Sequence, residues 1–292
     1  MDSSHINRCD RTSWCLQRAI KFTASICLAV LLLCSPLQAF AAAPVQETNI
    51  QTTCYTTQEG VFITCETDYA QGTLTLTVTG TERDVHAQLK HGDVVYGYHL
   101  YSNVSETIPL NMGNGEYQLN VLLYMAPTKG ILIWTTAFNV AMDDPLAPWL
   151  TPSRVINWTP DMELVEKAAS LTAQNDQRTT ALAICNYIAK NYTYNSSITS
   201  LPSDYEPNLA LLMKEKSGIC YDFAALYAAM CRSLGIPCKL VKGYTDYVSG
   251  VYHAWCEVYI EGQWLAVDPT YSISRGESIF MDSSQLHDMK YF

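Results

Sequence analysis

Hydrophobic and polar positions change their period along this chain. Between residues 44 and 147 they alternate. Leu74, Leu76 and Val78 interleave with Thr73, Thr75, Thr77 and Thr79, the two-residue period of a half-buried strand. Val85, Ala87 and Leu89 alternate again, and residues 94–101, 117–124 and 131–140 give further strands. Gly80-Thr81, His91-Gly92-Asp93, Gly113-Asn114-Gly115 and Thr128-Lys129-Gly130 punctuate them as turns. Short strands at this spacing predict an all-β, sandwich-like domain. The run from Asp143 to Pro148 breaks the alternation and reads as a linker.

Beyond the linker the period lengthens to that of a helix. Residues 161–174 put Leu164, Val165, Ala168 and Leu171 on one face, and residues 176–191 do the same with Leu182, Ile184, Cys185 and Ile188. Residues 207–214 form a third, shorter helix. After Cys220, Phe223, Leu226, Tyr227, Met230 and Leu234 recur at helical spacing until Gly235 and Pro237 stop the helix. Residues 238–244, 252–260 and 263–268 then read as strands, the last two joined by a hairpin turn at Glu261-Gly262. The expected organisation is an accessory β-domain at 44–147 followed by an α+β domain at 148–292.

Residues 1–43 read as an export signal rather than as fold. Arg8, Arg11, Arg18 and Lys21 precede an apolar run of about 13 residues, from Phe22 to Cys34, and small residues follow up to Ala43. The run is short for a bilayer span, which needs ~20 residues. The expectation is therefore a secreted or cell-surface protein with no membrane span in the mature chain. Cleavage changes the composition. The whole chain has 292 residues, net charge −10 and 11 cysteines; the mature part keeps 14 basic and 26 acidic residues, net −12, and seven cysteines. That balance excludes nucleic acid as the expected partner. An odd cysteine count in an exported chain implies a free thiol. Cys54 and Cys65 flank Gly60 and are expected to close a hairpin disulfide, the other reading being two buried thiols. Cys231 and Cys238 are read as packed thiols, with a disulfide as the alternative.

One thiol has a reason to stay free. Cys220 opens a helix, where the dipole and unpaired backbone N–H groups favour a thiolate. The Glu261-Gly262 turn sets a hairpin register in which paired residue numbers sum to 523. Trp255 then faces Asp268, His253 faces position 270, and Asp268 becomes the diagonal neighbour of His253 on one sheet face. If that face looks at the start of the Cys220 helix, three roles are filled. Cys220 attacks a carbonyl, His253 moves the proton, and Asp268 orients the imidazole. The Cys220 backbone N–H supplies one oxyanion donor. The second is not singled out by spacing, and Tyr194 is one candidate. Cys256 lies on the opposite face and reads as a packing residue. No cofactor or metal is expected, since neither C-x-x-C nor paired-histidine spacing occurs.

These blocks resemble a known family. Gly218-Ile219-Cys220-Tyr221-Asp222-Phe223 with Leu234-Gly235-Ile236-Pro237 is similar to the cysteine block of the transglutaminase-like superfamily. His253-Ala254-Trp255-Cys256-Glu257-Val258-Tyr259 resembles its histidine block, and Trp264-Leu265-Ala266-Val267-Asp268-Pro269 its aspartate block. The resemblance covers roughly residues 150–275. It implies a papain-like α+β core with Cys220 as nucleophile, His253 as base and Asp268 as orienting acid. It further implies an exported microbial cysteine peptidase, amidase or transglutaminase-type acyltransferase acting on protein or peptide, with cell-wall peptide as one candidate substrate. Tyr221 stands where the animal cross-linking enzymes carry Trp, and Asn195 replaces an acid in a segment that often ends Tyr-Asp. The same triad serves hydrolysis and amine transfer, so the residues leave that choice open. The contrasting reading is a non-catalytic binding or scaffolding protein that retains the fold.

Overall fold

The computed structural model describes residues 50–126, 129–172, 176–198, 200–202 and 205–292. The expected export signal lies outside them. Eight strands form the N-terminal part: β1 (Ile50–Thr56), β2 (Phe62–Asp68), β3 (Thr73–Thr79), β4 (Val85–His91), β5 (Val94–Leu100), β6 (Ser105–Pro109), β7 (Gly115–Ala126) and β8 (Lys129–Val140). They make two antiparallel sheets, in the orders β1-β2-β3-β6 and β5-β4-β7-β8. The alternating apolar residues of both sheets meet in one cluster, with Leu74, Leu76, Val78 and Ile108 from the first and Val85, Ala87, Leu89, Leu119 and Val121 from the second. This is the expected sandwich. Strands β1, β2 and β6 went unread because their alternation is mostly of threonine, glutamate and cysteine rather than of large apolar residues.

The hairpin of β1 and β2 corrects one expectation. Its register pairs Cys54 with Thr64 and Thr53 with Cys65, so the two cysteines point to opposite faces of the sheet. The Cys54–Cys65 disulfide is not formed.

The remaining elements are α1 (Glu163–Ser170), α2 (Gln177–Asn191), β9 (Thr193–Tyr194), α3 (Leu209–Glu215), β10 (Ser217–Gly218), α4 (Cys220–Ser233), β11 (Cys238–Thr245), β12 (Val248–Ile260), β13 (Gln263–Val267), α5 (Pro269–Arg275), β14 (Phe280–Met281) and β15 (Leu286–Tyr291). Helix α4 is the centre of a second hydrophobic cluster and is buried from Tyr221 to Arg232. It ends as its sequence demands. Gly235 takes φ +73°, its N–H reaches Arg232 O, and the Ile236 N–H reaches Cys231 O, a Schellman closure. A five-stranded antiparallel sheet in the order β14-β13-β12-β11-β15 packs on this helix. Its Ala254, Cys256, Val258 and Ile260 join the helix cluster, and the Cys256 thiol donates to Ala224 O at 3.1 Å. Trp255 turns the other way, into a small cluster with Val241, Ala266 and Leu286.

The first and last strands of the core are tied together by one buried cation. Arg232 donates from Nε to Cys238 O, from Nη1 to Thr151 O and from Nη2 to Phe292 O. Among the described residues, no helix is long and apolar enough to cross a membrane.

Candidate active site

Three local features place Cys220. The parallel pairing of β9 with β10 sets Gly218 beside Tyr194 immediately before the helix. Asp222, at the third helical position, accepts the Ile219 N–H at 2.9 Å and so closes the first turn. Its other oxygen accepts the Tyr205 hydroxyl at 2.6 Å. Gly218 is required here, because a Cβ at that position would lie 2.8 Å from Leu212 Cδ1 and 2.9 Å from Asp222 Oδ2. Cys220 is left half-buried at the mouth of the helix, whereas Cys185, Cys231, Cys238 and Cys256 are fully buried thiols.

The histidine arrives from β12. The register observed for β12 and β13 sums to 523 from Ile260↔Gln263 to Cys256↔Val267. There it stops. The expected pairing of His253 with position 270 does not occur, because α5 begins at Pro269 with Asp268 as its cap. Proline at the first helical position and aspartate before it are strong start signals, and they end the strand. The cap does what the lost pairing would have done. Asp268 Oδ1 accepts the Thr270 and Tyr271 N–H groups at 2.8 and 3.0 Å. Oδ2 is thereby fixed toward His253 Nε2, at 2.7 Å. Tyr247, at the β11–β12 turn, donates its hydroxyl to the same Oδ2 at 2.9 Å.

Nδ1 of His253 is not used by Asp268, and Cys220 lies near enough for its charge to act on the imidazole. The Cys256 face packs on α4, while His253, on the other face, comes close to Cys220 at the helix's first residue. A register break between Gly243 and Thr245 of β11 sits beside His253, and such bulges add twist and re-aim neighbouring side chains.

The electrostatics follow from burial and partners. Burial pushes the His253 imidazolium down, but the Asp268 carboxylate that accepts its hydrogen bond, together with Cys220, overcomes this and raises the group to about 10. His253 thus holds its proton at neutral pH, next to the Cys220 sulfur. Lys242 is a second cation close by. Its ammonium lies 3.3 Å from the centre of the Tyr221 ring. Burial lowers it to about 8, while the Cys220 charge acts in the opposite sense. Tyr194 is 47% exposed, and burial with the charges of Cys220 and Asp222 raises its hydroxyl. Its strand partner is Gly218, two residues before Cys220.

Lys242 and Tyr247 were not read from the sequence. Lys242 shares strand parity with Leu240, which faces the helix, so its side was legible in principle. Tyr247 sits in a loop with no periodic signal. Among the described residues, no cluster of three His, Cys, Asp or Glu side chains could hold a metal ion.

Residues 166–269, just over a third of the chain, match the family model described as the transglutaminase-like superfamily. The human kyphoscoliosis peptidase is 31% identical over 90 residues, 28% of this chain and 14% of that protein. A protein-glutamine gamma-glutamyltransferase of Pseudomonas aeruginosa is 22% identical over 182 residues, 54% of this chain and 27% of that protein. The chain therefore spans well under a third of either relative. Among solved structures, the periplasmic domain of TgpA from Pseudomonas aeruginosa aligns with 70% of this chain and 71% of its own, at 19% identity and TM-score 0.37.

Proposed function

We propose that the transglutaminase-like core of this protein is a cysteine-dependent acyl-transfer enzyme. Cys220 attacks the carbonyl of a peptide or side-chain amide, and His253 gives its proton to the departing amine. The resulting thioester is released to water, as in a peptidase or amidase, or to an amine, as in transamidation. The observation that carries this reading is the 2.7 Å bond from His253 to Asp268, with Asp268 buried to 1% exposure and its oxygens fully used, and with Cys220 near enough to act on the imidazole. Asp268 holds the imidazole in one orientation and balances its charge. His253 is charged before substrate arrives, so its first act is as an acid. The Cys220 backbone N–H and the Tyr194 hydroxyl are the two oxyanion donors. Residues 148–292 form the catalytic domain, residues 44–147 an accessory domain, and residues 1–43 the signal that exports the protein to the cell surface or beyond. Protein or peptide is the substrate class.

Iodoacetamide tests the reading. Cys220 should react at least roughly a hundredfold faster than Cys185 or Cys231 in the native protein, since it is partly exposed at a helix start beside His253 while they are fully buried. Equal rates would refute it. Incubation with casein and a labelled primary amine, beside Cys220→Ala, separates the two outcomes. Fragments indicate hydrolysis and incorporated label indicates transfer.

A further inference from the structure

A cavity of about 220 Å³ adjoins the candidate site where the sandwich meets the core. Tyr221 and Lys242 form its wall on the Cys220 side, and Glu106 and Asn111 form it on the sandwich side. Arg154 and Phe292 complete it.

Its charges divide into a satisfied set and an unsatisfied one. Arg154 is engaged: Nη2 is 2.6 Å from Glu206 Oε1, Nη1 is 3.6 Å from Glu106 Oε2, and Nη1 donates to His99 O. Its single charge is matched by Glu206, with Glu106 farther off. Glu106 is buried, and burial, opposed by Arg154, raises its carboxyl to about 7. Lys242 is different. Its ammonium rests on aromatic faces, 3.3 Å from the Tyr221 ring centre and 5.0 Å from that of Phe292, and feels the charges of Cys220 and of Glu206 without a close pair to either. Among the described residues it has no hydrogen bond or close ion pair. An ammonium has three donors, and ring faces use none of them as a hydrogen bond would. Two polar atoms of residues lining this cavity are buried and unpartnered, Asn111 Oδ1 and Arg154 Nε. The Asn111 Nδ2 group donates to Tyr291 O at 3.3 Å, which sets which way the amide faces. The cavity thus offers unused cationic donors and one unused acceptor.

We propose that this cavity binds a carboxylate carried by the peptide substrate, with Lys242 holding the carboxylate and Asn111 accepting an adjacent peptide N–H. The proposal deepens the acyl-transfer reading and rests on it. Tyr221 follows Cys220 in sequence and carries the Lys242 ammonium on its ring. The bound carboxylate therefore belongs to a residue near the attacked amide in the substrate chain. Asn111 and Glu106 come from the sandwich, so that part of the molecule takes part in choosing the substrate.

The test is calorimetric titration of the full chain carrying Cys220→Ala with four acetylated hexapeptides. Each has a central Gln flanked by either Glu or a second Gln, and ends in either a free or an amidated C-terminus. A peptide bearing a carboxylate should bind roughly tenfold tighter than the neutral one, the scale of one charge-assisted hydrogen bond. Which carboxylate gives the gain tells a side-chain source from a terminal one. Lys242→Met should remove the preference, and Lys242→Arg should restore most of it. Asn111→Asp, which keeps the shape and adds a negative charge, should weaken the carboxylate peptides roughly tenfold more than the neutral one. Equal affinities for all four, no binding at about 1 mM, or a preference that survives Lys242→Met would each overturn the proposal. Fast Cys220 alkylation with no peptide preference would sink this proposal alone. Slow alkylation with a Lys242-dependent preference would sink the acyl-transfer reading instead.

Discussion

Replacing Asp268 by Asn separates the chemistry of the site from its architecture. The side chain has two jobs on two oxygens: Oδ1 caps α5 and Oδ2 serves His253 and Tyr247. An amide can keep the cap, since its single oxygen still accepts the Thr270 and Tyr271 N–H groups. Its NH₂ must then face His253 Nε2. That forces the imidazole to accept at Nε2, the tautomer that cannot be an imidazolium there. The charge that held the histidine near 10 is gone, and burial, which lowers it, is no longer opposed by Asp268. A fall from about 10 to 6.5 or below corresponds to roughly 5 kcal/mol between the two protonation states. The fold should lose only about 1–3 kcal/mol, the range for altering buried charged hydrogen bonds. Imidazole NMR across pH 5–11, with His253→Gln to assign the signal, should show wild-type His253 titrating near 10 and the variant below 6.5. Alkylation of Cys220 at pH 7 should slow by roughly 10²–10³, and turnover by 10³–10⁴ as for other triads that lose the orienting carboxylate. A variant that still titrates near 10, or whose alkylation stays within threefold of wild type, would refute the argument that Asp268 holds the charge.

The same histidine gives stability a pH dependence. Its folded value lies above the ordinary 6.5, so its stabilising contribution is complete below about 6.5 and is lost as pH rises through about 10. Urea unfolding should therefore show a decline over that window that is missing in His253→Gln. Arg232→Met should cost about 3–5 kcal/mol in the same assay, because Cys238 O, Thr151 O and Phe292 O lose their buried donor together; a loss below 1 kcal/mol would mean water replaces the guanidinium. Gly218→Ala should destabilise by about 1–3 kcal/mol through contact with Leu212 and Asp222, and should slow Cys220 alkylation because it displaces the carboxylate that closes the first turn. An unchanged alkylation rate would show that this turn is not what positions the sulfur.

Periodicity and punctuation carried much of the site. Gly235 and Pro237 fixed the end of α4, and Glu261-Gly262, both at positive φ (53° and 83°), fixed the β12–β13 register that brings His253 near Asp268. Those are local statements, since a helix stop or a two-residue turn involves residues next to one another in the chain. The errors arose where local rules competed. Asp268-Pro269 is both the end of a strand and the start of a helix, and the helix won, so the contact with His253 came through a cap rather than through a sheet pair. The disulfide between Cys54 and Cys65 failed on parity: residues 11 apart in a hairpin whose register sums to an even number must face opposite ways.

The amino-acid sequence by itself determined which residue types stand at the helix start, the strand and the cap, because spacing within one element is set by backbone geometry. Only the tertiary structure decided the surroundings. It turned the Cys256 face onto the helix, brought Tyr247 to Asp268 from a loop, laid Lys242 on Tyr221, and set Asn111 and Glu106 beside them from the sandwich. Such contacts join elements far apart in sequence. They depend on how whole faces pack, which no local period records.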